Sequence, residues 1–273
     1  MKAVKGIIAA SRKGKMESWV GMSDGQKTGD LLGLAPYGKA LNTVAKGAVG
    51  GAGAFLSRIC LPVAEEFGLL LRDKVHNWRS ANATHILLKA EKLLSTESDA
   101  DSVHAHPRLV WQILEDGSWT EDDSIQQLWA GLLATSCTAE GTDESNLIFI
   151  NLLNQLTSIQ VRILAVACAR AEVVLSPMGW IHSNELYCTA EELCSISGLQ
   201  DVPRLDREMD RLSSLGLFTV QGGFPARALM PVANITPTTL ALQLYARCNG
   251  HRGAPQDFYS RLSANAATPG SRP

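Results

Sequence analysis

The sequence predicts a mainly α protein, an N-terminal helical domain followed by a winged-helix-like C-terminal domain. Three observations carry this. Apolar residues recur at spacings of three and four, most clearly at Ile125, Leu128, Trp129, Leu132 and Leu133, which places them on one helix face. The chain is 45% hydrophobic, 19% charged and only 6% aromatic, a balance suited to packed helices. Towards the C-terminus the order changes to helix, turn, helix and a pair of short strand signals, the order of a winged helix.

At 273 residues the chain has room for one large or two modest domains. Residues 1–30 mix Lys, Arg, Gly and Ser without periodicity and read as a flexible basic N-terminus. Residues 31–156 make the helical domain. Its first part, 31–61, is apolar and rich in Gly and Ala, interrupted only by Lys39, Lys46 and Arg58. The 11 uncharged residues between Lys46 and Arg58 are too few for a transmembrane helix, which needs ~20. Gly47 and Gly51 form a G-x-x-x-G pair beside Ala48 and Ala52, a small-residue face that lets helices approach closely in lipid or in protein. Lys39, Lys46, Gly47, Gly51, Phe55 and Arg58 are therefore candidates for membrane or oligomer contact. The competing readings are a close-packed core helix and a flexible lead-in.

Residues 62–94 read as one long helix with Pro62 in its first turn. Its core stripe is Val63, Phe67, Leu70, Leu71, Val75 and Trp78, continued by Ile86, Leu87, Ala90 and Leu94. An acidic loop follows, where His104 and His106 lie near Asp99 and Asp101. That is too loose a pattern for a metal site, and His106 before Pro107 fits an extended turn instead. A short helix with Leu109, Val110, Ile113 and Leu114 runs to the Asp116-Gly117 turn. Thr120 and Asp123 form a capping-box pattern for the next helix, with Glu121 and Asp122 at the positive end of its dipole. Asn146–Leu156 is a further apolar helix.

Thr157 and Gln160 form a second capping box, and this restart marks the beginning of the winged-helix-like domain, 157–248. A strand or short helix is expected at Ile181–Tyr187. Thr189 and Glu192 cap a short helix that Gly198 ends, and Asp201 caps the next one, with Val202, Leu205, Met209, Leu212 and Leu215 inward. Leu217–Val220 and Ala228–Val232 are the strand pair, and Thr236–Cys248 is a closing helix. The candidate recognition helix carries Arg204, Arg207 and Arg211 as possible partner or nucleic-acid contacts. It also carries Asp206, Glu208 and Asp210, so counted as a whole it offers phosphates little attraction. A protein partner or self-association is expected ahead of nucleic acid. Residues 249–273, rich in Gly, Pro, Ser and Ala, are expected to be a disordered tail.

Charge is unevenly distributed. Residues 1–94 hold 14 Lys/Arg against 7 Asp/Glu, a net of +7, whereas 95–145 hold 11 Asp/Glu against Arg108 alone, a net of −10. Such halves suit intramolecular or head-to-tail contact, or a basic face kept for a membrane or nucleic acid. The six cysteines form no C-x-x-C pair and sit in apolar surroundings, which fits reduced thiols in a cytoplasmic protein. The expected location is the cytoplasm, with inner-membrane association on activation. Phosphate-loop, G-x-S-x-G and H-E-x-x-H patterns are missing, so no enzyme activity, cofactor or metal is expected.

Three segments carry a resemblance. They are EEFGLLLRDKVHNWRSANATHILLKAEKLL (65–94), HPRLVWQILEDGSWTEDDSIQQLWAGLLA (106–134) and LTSIQVRIL (156–164). Glu65 or Glu66 with Gly68, then Asn82, then Trp129, Ala130, Leu132, Leu133 and Ala134 after an acidic cap, resemble the abortive-infection alpha family of bacterial phage-defence proteins. The resemblance covers about residues 31–248, and its motifs are mostly packing residues. It implies anti-phage defence by arrest or death of the infected cell and carries over no catalytic residue.

Overall fold

The computed structural model describes residues 43–64, 76–95, 102–176, 178, 180–219, 223–224 and 232–266. The expected flexible segment 1–30, Lys39, and the stripe positions Phe67, Leu70, Leu71 and Val75 lie outside them.

Helix α1 (Thr43–Ile59) places Ala52, Phe55, Leu56 and Ile59 on one face, and all four are buried against α2 (His76–Leu94). The spacing of three and four reads through directly into packing. In α2 the expected stripe of Ile86, Leu87, Ala90 and Leu94 is buried, but Trp78 is not part of it. Trp78 is 36% exposed; its ring lies 6.2 Å from that of Trp119 and its indole N–H donates to Glu121. An indole keeps its polar edge in a hydrogen bond at the surface, where a Leu at the same spacing would turn inward.

Strand β1 (His104–Ala105) leads into α3 (Pro107–Gly117), whose N-cap is the extended His106, its ring accepting from the Arg108 amide. Then comes α4 (Asp123–Thr135), about which the first half is arranged. Its cap differs from the expected Thr120–Asp123 box. Asp122 is the N-cap and accepts from the amides of Ser124 and Ile125 at 3.0 and 3.3 Å, while Thr120 Oγ1 accepts from the Asp122 amide. One carboxylate oxygen answers two orphan donors at the positive end of the dipole, which a threonine hydroxyl does less well. Residues 129–137 are all buried, because α4 is covered by α2 and α3 and by a helix from the far end of the chain. Gly117 allows this packing: a Cβ there would lie 2.8 Å from Ile86 Cδ1 and 3.0 Å from Trp129 Cγ.

Strand β2 (Cys137–Thr138) pairs with β1, and α5 (Leu147–Asn154) and α6 (Ser158–Arg170) follow. Both halves of the Thr157/Gln160 capping box form. The segment expected as one unit at Ile181–Tyr187 is divided between two sheets. Strand β3 (Val173–Leu175) forms a hairpin with β4 (Ile181–Ser183), and β5 (Tyr187–Thr189) pairs with β6 (Val232–Asn234). Between β5 and β6 lie α7 (Ala190–Ser197), with its Thr189/Glu192 box and its end at Gly198 (φ +76°), and α8 (Val202–Ser214), capped by Asp201. Phe218 bridges to Pro237 and Gly223 to Asn234; of the expected return strand Ala228–Val232, residues 228–231 lie outside the described residues and Val232 opens β6.

Helix α9 (Thr239–Cys248) packs on both α4 and α6, so the hydrophobic core continues across residue 157. Within the expected disordered tail, residues 255–266 instead form helix α10 (Pro255–Ala266). Tyr259 is buried with its hydroxyl donating to the Leu242 carbonyl at 3.0 Å, and Phe258 packs edge-on to Tyr245. Two adjacent aromatics outweigh the Gly/Pro/Ser/Ala composition that suggested disorder, because each buries a large apolar area.

Candidate functional site

The acidic and basic halves meet through α2. Arg79 pairs with Glu115 at 2.9 Å, donates to Ser118 Oγ at 2.9 Å and covers the Trp119 ring at 4.3 Å, while Lys89 pairs with Asp123 at 2.6 Å. Beneath them Asn82, buried, donates to the Ser118 carbonyl at 3.0 Å and accepts from Gln126 at 3.3 Å. Asn82 therefore ties α2 to the turn between α3 and α4.

The candidate contact residues of the Gly/Ala segment are spread over different environments. Lys46 and Gly47 lie in the helical backbone of α1. Gly51 is half-buried, with open space where a Cβ would point. Phe55 is 1% exposed, and the Arg58 guanidinium lies 5.5 Å from its ring centre. The apolar stripe of α1 thus faces protein. Among the described residues, no helix is long and apolar enough to cross a membrane.

Helix α8 brings its three candidate arginines together. Leu205, Met209 and Leu212 point into the core, and Glu208 turns towards α6, where it accepts from Gln160 Nε2 at 2.8 Å. Asp206 is half-buried. The exposed side is left with Arg204, Arg207 and Arg211 against Asp210 and the cap Asp201, and Arg211 also donates to Gln155 at 3.0 Å. Composition makes α8 neutral, whereas its outward face is basic.

The surface that sequence reasoning missed is the β3–β4 hairpin. Val174, Leu175, Met178 and Trp180 are 39, 51, 84 and 68% exposed, and no residue from Val173 to Ile181 carries charge. Beside it lies a cavity of about 320 Å³, walled by Met178, Trp180 and Ile181 on one side and by Thr239, Gln243 and Gln256 of α9 and α10 on the other. A signal was present in the run VVLSPMGWI, nine consecutive residues without charge.

The thiols are poorly placed for nucleophilic chemistry. Burial pushes Cys137 up to about 12, and burial together with the nearby Glu192 carboxylate pushes Cys188 up to about 11. Cys168 and Cys248 are raised further by complete burial. Such groups stay protonated at neutral pH. Among the described residues, no three His, Cys, Asp or Glu side chains group as a metal site.

A family model described as abortive infection alpha matches residues 81–228, more than half of the chain. The chain belongs to that family. The match spans α2 from Ala81, the central α4, and the α7–α8 helix pair, so it covers both the Asn82 network and the arginine face. Membership in the abortive infection alpha family suggests an abortive-infection role. No curated protein and no solved structure matches the chain.

Proposed function

We propose that this abortive infection alpha protein arrests or kills the phage-infected cell by macromolecular contact rather than by catalysis. The observation that carries the proposal is the β3–β4 hairpin, which exposes Val174, Leu175, Met178 and Trp180 with no charged residue among them. Interface cores are depleted in charge and enriched in Trp and Met, and exposed apolar patches of several hundred Å² mark contact sites. The C-terminal half is read as a winged helix used for contact. Its order of α6, β5, α7, α8 and the returning β6, with β5 and β6 paired, supports that reading. The protein works in the cytoplasm in this proposal.

The test is phage plating on cells carrying Met178→Lys or Trp180→Glu at matched protein levels. Both sites are exposed, so folding is expected to persist, and protection is expected to fall at least about tenfold, the size of one lost contact of about 1.4 kcal/mol. Wild-type protection by both variants would remove the hairpin from the mechanism.

A second reading is favoured by the arginine face of α8, which offers phosphates three cations against the two exposed carboxylates of Asp201 and Asp210. It expects a gel shift that weakens steeply with salt and is lost on Arg204→Glu with Arg207→Glu. Membrane action would require α1 to withdraw Phe55, Leu56 and Ile59 from the core, roughly 1.5–3 kcal/mol of burial for each. Flotation of the protein with vesicles after phage exposure would favour that route over the hairpin.

A further inference from the structure

The hairpin also has a backbone that is unfinished on one side. The Ser176 amide donates to the Trp180 carbonyl and the Asn184 amide to the Glu172 carbonyl, and Val174 lies opposite His182 between these two pairs. Hydrogen-bonded and non-hydrogen-bonded pairs alternate along an antiparallel ladder. The N–H and C=O groups of Val173 and Leu175 therefore point away from β4, and among the described residues β3 has no other strand beside it. Edge strands are usually protected by shortness, by charge, by Pro or by a bulge; β3 is short, at three residues, but Val173-Val174-Leu175 carries neither charge nor Pro.

We propose that this edge pairs with the same edge of a second copy, giving a two-fold dimer with β3 antiparallel to its counterpart. The proposal rests on reading the hairpin as a contact surface. The register follows from which groups are free. Val173 of one copy faces Leu175 of the other and exchanges two hydrogen bonds with it; the symmetric pair adds two more. Val174 then meets its own counterpart across the axis as a non-hydrogen-bonded pair, where Cα atoms lie about 4.5 Å apart.

A second copy is the favoured occupant for two reasons. An uncharged edge opposes its own copy without repulsion, whereas it offers a charged partner nothing to pair with. The area is also of the right order. Val174, Leu175, Met178 and Trp180 expose on the order of 500 Å² between them, so two copies can cover at most about 1,000 Å², the lower limit of a specific interface. An isologous contact of this kind closes on itself and stops at two copies.

The test uses the full chain. Sedimentation equilibrium of the wild type at about 10–50 µM is expected to show a species of twice the 29.4 kDa chain mass. Leu175→Pro removes an N–H that does not serve β4 and is expected to return the mass to that of one chain with unchanged circular dichroism. Val174→Cys is expected to form an intermolecular disulfide on mild oxidation, since about 4.5 Å between Cα atoms suits the bond; Arg207→Cys is the control and should not. A wild type that sediments as one chain overturns the proposal. A dimer that persists in Leu175→Pro without cross-linking at Val174→Cys also overturns it, because the copies then meet elsewhere. The two readings separate cleanly. A monomeric wild type whose phage protection is lost in Met178→Lys keeps the contact surface and removes the second copy. A hairpin dimer whose Leu175→Pro variant protects fully keeps the dimer and removes the hairpin from defence.

Discussion

Replacing Gly131 with Ala should separate the two halves of the core. Gly131 lies on the buried face of α4 where α9 ends. A Cβ there would sit 1.8 Å from the Cys248 carbonyl oxygen and 2.3 Å from its carbonyl carbon. Both atoms are backbone at the helix end and cannot rotate aside. Ordinary contact between such atoms needs about 3.5 Å, so α9 must retreat by about 1.7 Å. That retreat would loosen Ala241, Leu242, Leu244 and Cys248, all buried, together with the 3.4 Å hydrogen bond from Thr135 Oγ1 to the Arg247 carbonyl. Overpacking a core costs about 1–3 kcal/mol and occasionally more. Alanine returns about 1 kcal/mol of helix propensity. A net loss of roughly 2 kcal/mol follows, the upper end of that difference because the obstacle is backbone. Gly50→Ala is the matched control, since Gly50 is exposed on α1 with nothing within 4 Å of a Cβ, and should stabilise by up to about 1 kcal/mol. Urea unfolding followed by circular dichroism reads both. If Gly131→Ala unfolds at the wild-type midpoint, α4 and α9 do not approach as described and the reasoning fails.

Three further outcomes are expected. Asn82→Leu leaves the Ser118 carbonyl without its buried donor, costing about 2 kcal/mol; urea midpoints check it, and an unchanged midpoint would show that the network is dispensable. Asp122→Ala removes the α4 cap and should cost about 1 kcal/mol at neutral pH. The Asp122 carboxyl is held below its usual range, chiefly by the Ser124 hydroxyl. Its stabilisation is therefore present above the unfolded-state value of about 3.9 and lost as pH falls through the lower folded value. Thermal melts of wild type and variant should accordingly converge at the acid end, and a gap that persists there would refute the assignment. Finally, a thiol reagent at neutral pH should modify Cys194, the half-buried cysteine, ahead of the other five, which are buried; rapid reaction of all six in the folded protein would contradict the described core.

Family membership and the helices were legible together, because both are written in packing residues. The stripe of α4, the Thr157/Gln160 and Thr189/Glu192 boxes, the Asp201 cap and the Gly198 stop appear in the structure as read. The site was less legible. Trp78 fits a core stripe by spacing alone yet lies at the surface, and residues 255–266 look disordered by composition yet are held by Phe258 and Tyr259. The acidic residues of α8 suggested a neutral helix, but Glu208 is turned inward to Gln160.

The sequence alone determined what depends on neighbours within a turn or two of chain. Helical periodicity, caps and stops are contacts between residues three or four apart, so the letters carry them. The tertiary structure alone decided which faces are covered. Gly131 has no signature in the sequence, because the carbonyl it makes room for belongs to α9, far along the chain. The hairpin became a surface, and the arginines of α8 a basic face, only once the core had taken the side chains around them. Exposure and the charge of a face are properties of what is packed next to a residue, and the chain places those neighbours only by folding.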